Sequence, residues 1–374
     1  MSKTIALVLG GGGARAAYQV GVLKALVQCY PRNHGIPFKI LSGTSAGAIN
    51  ATSLATHASC FHLGVRKLEW VWNQMQTQKV YDASFAKVSA HILKMLFRNL
   101  QEDSVNTDAA SLFNNDPLRQ LLTNLIDLPR IDRNIHHGAL TAINIDTSCY
   151  NNASSVSFFQ TSNNKENWQR ERRYGYSTQL QIAHLLASTA IPMVFPSVKI
   201  NQNYYGDGSV HQFAPLSAPI HLGANKIMVI NLDSPHQDSH KELPHHPKTA
   251  TVAGHLLDTI FSDTLNSDLE RLHRINSTLE KLPKVQQTQL DLHPIETLVI
   301  KPSQDLSQLA IDYYTEMPVS IRYLLKIIGI NKHSDSSVIS YLLFEASFTK
   351  ALIQLGYQDA LDQMQSIKAF FDIK

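Results

Sequence analysis

Cysteine is scarce in this chain: three residues in 374, Cys29, Cys60 and Cys149. The count is odd, no CxxC pair occurs, and all three sit in apolar stretches. That excludes a disulfide framework and points to free thiols in a reducing compartment. Metal-ligand spacing is missing too. The 17 histidines are scattered and none belongs to an HExxH, so neither a metal nor a cofactor is expected. No stretch approaches the roughly 20 apolar residues of a membrane span. The first apolar run, Ile5–Leu9, is too short for a secretory signal and leads into glycines rather than a cleavage site. The expectation is a cytoplasmic protein that meets a membrane only from the aqueous side, as a peripheral contact.

Strong charge of either sign is also lacking. Lys+Arg number 33 against 30 Asp+Glu, and no long basic run exists, so a nucleic-acid partner is not expected. The short cluster Arg170, Glu171, Arg172, Arg173 is broken by an acid and reads as a solvated loop. With 44% hydrophobic and 17% charged residues, the composition is globular and sufficient for a large core. Nothing in it speaks to oligomeric state.

The N-terminal half alternates short apolar runs, small-residue turns and helical patterns. Residues 4–9 read as a buried strand ended by Gly10-Gly11-Gly12-Gly13. Ala16, Val20, Leu23 and Val27 then recur on one helical face. A second strand ends at Leu41, and Ser42-Gly43-Thr44-Ser45-Ala46-Gly47 turns into another helix. This order predicts a parallel α/β sheet. Residues 68–135 read as helices and loops. Further strands are expected at 139–145, 156–159, 198–205 and 226–232, a polar loop at 161–178, and a helix at 179–188. Residues 233–249, with several Pro and His, read as a linker. Beyond it, Leu257, Phe261, Leu265, Leu269, Leu272 and Leu279 trace an amphipathic helix. Leu298-Val299-Ile300 reads as a lone strand that must join the existing sheet, and helices follow near 318–329 and 336–355.

Three motifs carry chemistry. Gly43-Thr44-Ser45-Ala46-Gly47 is a GxSxG between strand and helix, the setting of a nucleophile elbow; its flanking glycines let strand and helix approach closely. A tight structural turn is the plainer reading of the same five residues. Gly10-Gly11-Gly12-Gly13-Ala14-Arg15 is a glycine-rich turn before a helix, able to present amide groups to an anion. A dinucleotide would want an acid at the end of the next strand, which ends Leu41-Ser42-Gly43. A nucleoside triphosphate would want Gly-Lys-Ser/Thr, which is absent. A transient oxyanion needs only aimed donors. Arg15 could contact a lipid phosphate or pair with a surface acid. Tyr205-Gly206-Asp207-Gly208-Ser209, taken alone, is an ordinary Asp-Gly turn. His57, His184 and His211 are candidates for a triad base, each as readily a structural histidine.

In combination the motifs resemble the patatin-like phospholipase family, specifically its bacterial members. They occur in order: GGGGARAAYQVGVLKAL at 10–26, GTSAGAINA at 43–51, ASTAIPMVFPSVKI at 187–200 and YYGDGSVHQFAPLSAPIHLGANKIMVI at 204–230. LVIKPS at 298–303 and SYLLFEASFTKALIQLGYQDA at 340–360 also look like bacterial relatives. The resemblance implies a three-layer α/β/α fold with a mostly parallel central sheet. Its catalytic domain would span 4–232, with a mainly helical extension over 250–374 packed on it. It implies a Ser–Asp dyad, which falls on Ser45 and Asp207, and an oxyanion hole in the Gly10–Gly13 turn. Two positions depart from the pattern: Ala16 stands where the glycine-rich motif usually closes on glycine, and Ser209 follows Asp207-Gly208 where the family has Gly or Ala. The expected function is a serine carboxylic-ester hydrolase acting on lipid or membrane-surface esters through an acyl-Ser45 intermediate. Acyl transfer on the same dyad and a non-catalytic interaction protein are the alternatives. A dinucleotide-dependent oxidoreductase fails for want of the ribose-binding acid.

Overall fold

The computed structural model describes residues 3–82, 111–162, 165–233, 249–283, 292–327, 329–330, 332 and 337–373. Strands β1 (Ile5–Leu9) and β2 (Ile40–Thr44) form from the first two apolar runs, where both faces of the sheet are covered and every position can be apolar. The sheet continues with β3 (Ala142–Cys149), β4 (Ser154–Thr161), β5 (Trp168–Arg170), β6 (Arg173–Ser177), β7 (Val198–Ile200), β8 (Asn203–Asp207), β9 (Lys226–Ile230) and β10 (Glu296–Ile300). Its order is β10-β9-β1-β2-β3-β4-β6-β5, with β8 also paired to β3 and β7 to β8. The run from β10 to β3 is parallel throughout; the antiparallel pairings begin at β3–β4 and β3–β8.

Helices cover both faces. Along β1 the side chains alternate: Leu7 and Leu9 enter one apolar cluster, Ala6 and Val8 another. The first cluster gathers α1 (Ala17–Leu26), α2 (Ala46–Thr56), α3 (Phe61–Asn73), α4 (Asp116–Leu125), α5 (Leu128–His136) and α6 (Ile182–Ser188). The second lies under α7 (Ser217–His221) and the long α8 (Thr249–Lys281), which contributes Leu265, Leu269 and Leu272. Leu257 and Phe261, from the same expected stripe, lie outside the described side chains. The C-terminal region is helical: α9 (Leu306–Asp312), α10 (Val319–Ile327), α11 (Val338–Leu342), α12 (Ala346–Asp362) and α13 (Met364–Phe370). It packs on the sheet and its helices. β10 pairs in parallel with β9, as the lone apolar strand requires, and α12 crosses α1 so closely that a Cβ on Gly356 would lie 2.2 Å from the Tyr18 carbonyl oxygen.

Three segments differ from expectation. Residues 198–205 are a hairpin, not one strand; Asn201, at φ 54°, reverses the chain between β7 and β8. The stretch 161–178, read as loop, carries β5 and β6, joined through Arg172 at φ 51°. Trp168 stacks on Phe159 there, a tertiary contact that the polar local composition hides. The expected helix over 336–355 breaks between α11 and α12, where Glu345 is drawn to the Thr77 backbone N–H and hydroxyl. Residues 83–110 and 234–248, parts of the expected helical stretch and linker, lie outside the described residues. The three thiols are free, Cys149 buried and Cys29 and Cys60 half-buried.

Candidate active site

Ser45 stands between β2 and α2 at φ 54°, ψ −129°, a conformation L-residues rarely adopt, costing about 1–3 kcal/mol. The neighbouring glycines make that turn feasible. A Cβ on Gly47 would lie 2.2 Å from the Leu9 carbonyl oxygen, and one on Gly43 would lie 2.5 Å from Ala48 Cα. The Ser45 amide donates to Ser188 Oγ at 2.9 Å, and Ser188 Oγ donates to the Asp146 carbonyl at 2.6 Å. The elbow is thus tied to α6 and β3 while its hydroxyl stays free of that chain. Ser45 is only 2% exposed, at the N-terminus of α2, where the helix dipole favours negative charge.

Asp207 ends β8, held to β3 by the Thr147 register. Its amide donates to the Ala190 carbonyl and its Oδ1 accepts the Ser209 N–H, each at 2.9 Å. The carboxylate is fully buried, and its Oδ2 has no hydrogen bond of ordinary geometry. Desolvation pushes its pKa up to about 6; the Ser45 hydroxyl and the Ser209 amide and hydroxyl are near enough to draw it back. Ser209, the departure from the family pattern, therefore supports the charge of Asp207.

Ser45 opens onto an apolar cleft. Leu68, Val71, Trp72, Leu122, Ile191 and Phe344 are among its walls. Gly13 lines it as well, at φ 54°, where a Cβ would lie 2.3 Å from the Tyr341 carbonyl oxygen. Gly10 and Gly11 instead line a smaller cavity with Thr44, Gln212 and Asn231. Gly12 lies between them, against Leu232. The turn expected to act as a unit is thus divided between two cavities.

Arg15 is turned away from the cleft. The residue is 3% exposed, and its guanidinium donates to Ser340 Oγ, Tyr341 OH and Ser307 Oγ and lies 4.0 Å from the Tyr341 ring centroid. The lipid-phosphate contact considered for it gives way to a clamp on the C-terminal helices. Of the three histidines, His57 caps the far end of α2, about 18 Å from Ser45 by helix rise, with Nδ1 near the Ser53 carbonyl. His184 accepts the Gln181 N–H within its own helix cap, and burial lowers its pKa to about 4. His211 follows Asp207 on a short 3-10 turn, with burial and Arg172 lowering its pKa. No hydrogen bond joins any of these rings to Ser45.

Asp146 is absent from the motif reading. It lies on β3, buried, with its pKa raised by desolvation to about 6. Ser157, Asn144, Thr44 and Gln212 all donate to its carboxylate. A lone carboxylate inside the apolar stretch AINIDTSC was the available signal. Among the described residues no cluster of three or more His, Cys, Asp or Glu could hold a metal, and no helix is long and apolar enough to cross a membrane.

The patatin-like phospholipase family model matches residues 7–220. The rat patatin-like phospholipase domain-containing protein 7 is 47% identical over 68 residues, 18% of this chain and 5% of that protein. The lysophospholipase nte1 of Aspergillus terreus is 50% identical over 56 residues, 15% of this chain and 3% of that protein. The chain therefore spans only a few per cent of the length of these relatives. Among solved structures, VipD from Legionella pneumophila aligns at a TM-score of 0.41 and 12% identity, over 97% of this chain and 67% of that one.

Proposed function

Because the chain belongs to the patatin-like phospholipase family, we propose that it is a lipid acyl hydrolase in which Ser45 is the nucleophile and Asp207 the general base. The observation that carries the reading is one arrangement: a strained, buried serine on an apolar cleft, beside a buried aspartate whose second oxygen has no other partner. The walls of the cleft suit a fatty acyl chain and offer no polar group for a sugar or peptide along most of their length.

In this mechanism Asp207 accepts the hydroxyl proton as Ser45 Oγ attacks the ester carbonyl. An ordinary aspartate is a weak base at neutral pH; a pKa near 6 brings Asp207 closer to the working range. The glycine turn would hold the oxyanion. Gly13 on the cleft and the N-terminus of α2 support that assignment. The acyl-Ser45 ester forms as the lyso-lipid or alcohol leaves with the proton from Asp207. Water then attacks and gives a proton to Asp207, which returns it to Ser45 Oγ as the acyl–oxygen bond breaks and the fatty acid departs.

The test pairs a probe with a product assay. Ser45 should be labelled by an alkyl fluorophosphonate, and the protein should release free fatty acid from phospholipid or glyceride vesicles. Ser45→Ala should remain folded and lose both. Labelling that persists in Ser45→Ala would show another nucleophile. Products that carry the acyl chain on an added alcohol, with no free acid, would assign acyl transfer instead.

A further inference from the structure

We propose that Asp146 is a positioning residue that fixes Ser45 and Asp207 relative to each other by bridging the chain segments that carry them. The proposal rests on the assignment of Ser45 and Asp207 given above. On one side, Asp146 accepts from the hydroxyl of Thr44, the residue before Ser45, at 3.3 Å through Oδ2. On the other, the same oxygen accepts from Nε2 of Gln212, just past the turn that follows Asp207, at 2.6 Å. The one Thr44 hydroxyl proton is shared with Gln212 Oε1, 3.0 Å from Thr44 Oγ1, so the same hydroxyl faces both segments. The main chain of Asp146 joins the same parts: its carbonyl accepts from Ser188, which holds the Ser45 amide. Gly208 packs against that carbonyl so tightly that a Cβ would lie 2.3 Å from it.

A carboxylate suits this place for a chemical reason. Ser157 and Asn144 donate to Oδ1 while Gln212 and Thr44 donate to Oδ2. Only an ionised carboxylate accepts at both oxygens without offering a donor of its own. An amide would point its NH2 at a neighbouring donor on one side or the other. Among the described residues no cation offsets the buried charge, which is held by these four neutral groups. Burial on those terms is costly, and a buried carboxylate that accepts at both oxygens holds its donors in one geometry. Catalysis here depends on the placement of a serine oxygen against a carboxylate from a different strand, and a misplacement of about 1 Å can cost on the order of 10²-fold in rate.

Steady-state kinetics, fluorophosphonate labelling rate and thermal midpoint of the full chain test this in Asp146→Asn, Gln212→Glu and the double variant. Asp146→Asn should lower kcat by roughly 10–100-fold with KM little changed. The double variant exchanges the roles of acceptor and donor, so it should recover most of kcat and of the labelling rate. A near-wild-type kcat in Asp146→Asn would overturn the proposal. So would a double variant that regains its thermal midpoint but not its rate, since that outcome marks a purely structural network. If the double variant does not fold, Gln212→Met decides: it cuts the bridge and should lower kcat at least several-fold, and an unchanged kcat would overturn it. The dyad stands apart from these outcomes, because its failure would show as absent Ser45 labelling in the wild type or as near-wild-type turnover in Asp207→Asn.

Discussion

A carboxylate buried without a cation prefers to be neutral, and at Asp207 that preference has two consequences of opposite sign. As a base the group must be ionised. Activity should therefore be lost as pH falls through about 6 and should reach a plateau above it, measured as kcat/KM on a soluble ester. For stability the raised pKa works the other way. Protonation favours the folded state, so the contribution of Asp207 is full below the ordinary value of 3.8 and is lost as pH rises through about 6. Asp207→Asn removes the buried charge but cannot take the proton. It should lose about 10²–10⁴-fold in turnover. At pH 8 it should be more stable than the wild type, by on the order of 2–3 kcal/mol, with little difference at about pH 3. Urea titrations at the two pH values check this, and a less stable variant at pH 8 would contradict the account. The same trade of stability for activity is stored in the φ of Ser45.

At the scale of elements, the site is a junction of strand ends with helix starts, and the tolerances are steric. Gly47 admits α2 against the end of β1, where the obstructing atom is backbone and cannot swing aside. Gly47→Ala should fail to fold or should lose labelling at Ser45, read by circular dichroism and probe incorporation. On α4, Leu122 is fully buried yet lines the cleft. Leu122→Trp should shorten the acyl chain the cleft accepts, shifting the ratio of kcat/KM for long over short p-nitrophenyl esters downward by roughly tenfold, a methylene in such a pocket being worth about 1–3 kcal/mol. An unchanged ratio would place the acyl chain elsewhere. Elements were legible where a local pattern decides them. The β1 and β2 turns are set by runs of apolar and small residues next to each other in sequence. The β5–β6 hairpin was not legible, because its aromatic residues sit among polar neighbours and find their partners on β4, Trp168 on Phe159 and Tyr176 on Phe158. The break before α12 was not legible either, since Glu345 is drawn out of helix by Thr77.

For the whole molecule, the C-terminal region packs on the sheet and on α1. β10 covers an edge of β9, α12 crosses α1 at backbone contact, and Arg15 reaches across to Ser307, Ser340 and Tyr341. Phe344 completes the cleft wall. Truncation near residue 240 should expose the β9 edge and the apolar faces of β1 and α1, and give aggregated, inactive protein. A single proteolytic cut within 236–248 should leave both pieces associated and active, as size-exclusion chromatography with an ester assay would show. A soluble, active 1–240 fragment would contradict this. Gly356→Ala tests the same packing more gently. Its Cβ would meet the Tyr18 carbonyl, so α1 and α12 must part, and a loss of about 1–3 kcal/mol is expected in denaturant midpoints.

What the sequence determined by itself is whatever short-range chemistry decides: the strand–glycine–helix order, the elbow around Ser45, the parallel sheet and the need of Leu298-Val299-Ile300 for a partner strand. Each follows from neighbours within a few residues, where periodicity and steric rules act. The tertiary structure alone decided which distant groups meet. It brought Asp207 to Ser45 through the pairing of β8 with β3, turned Arg15 from the cleft to the C-terminal helices, and set Gly13 on one cavity and Gly10 and Gly11 on another. It also raised Asp146, an unremarked residue of one strand, to the junction of both site segments. These outcomes rest on burial and on long-range hydrogen bonds, whose energies depend on what surrounds a group in space rather than on what precedes it in the chain.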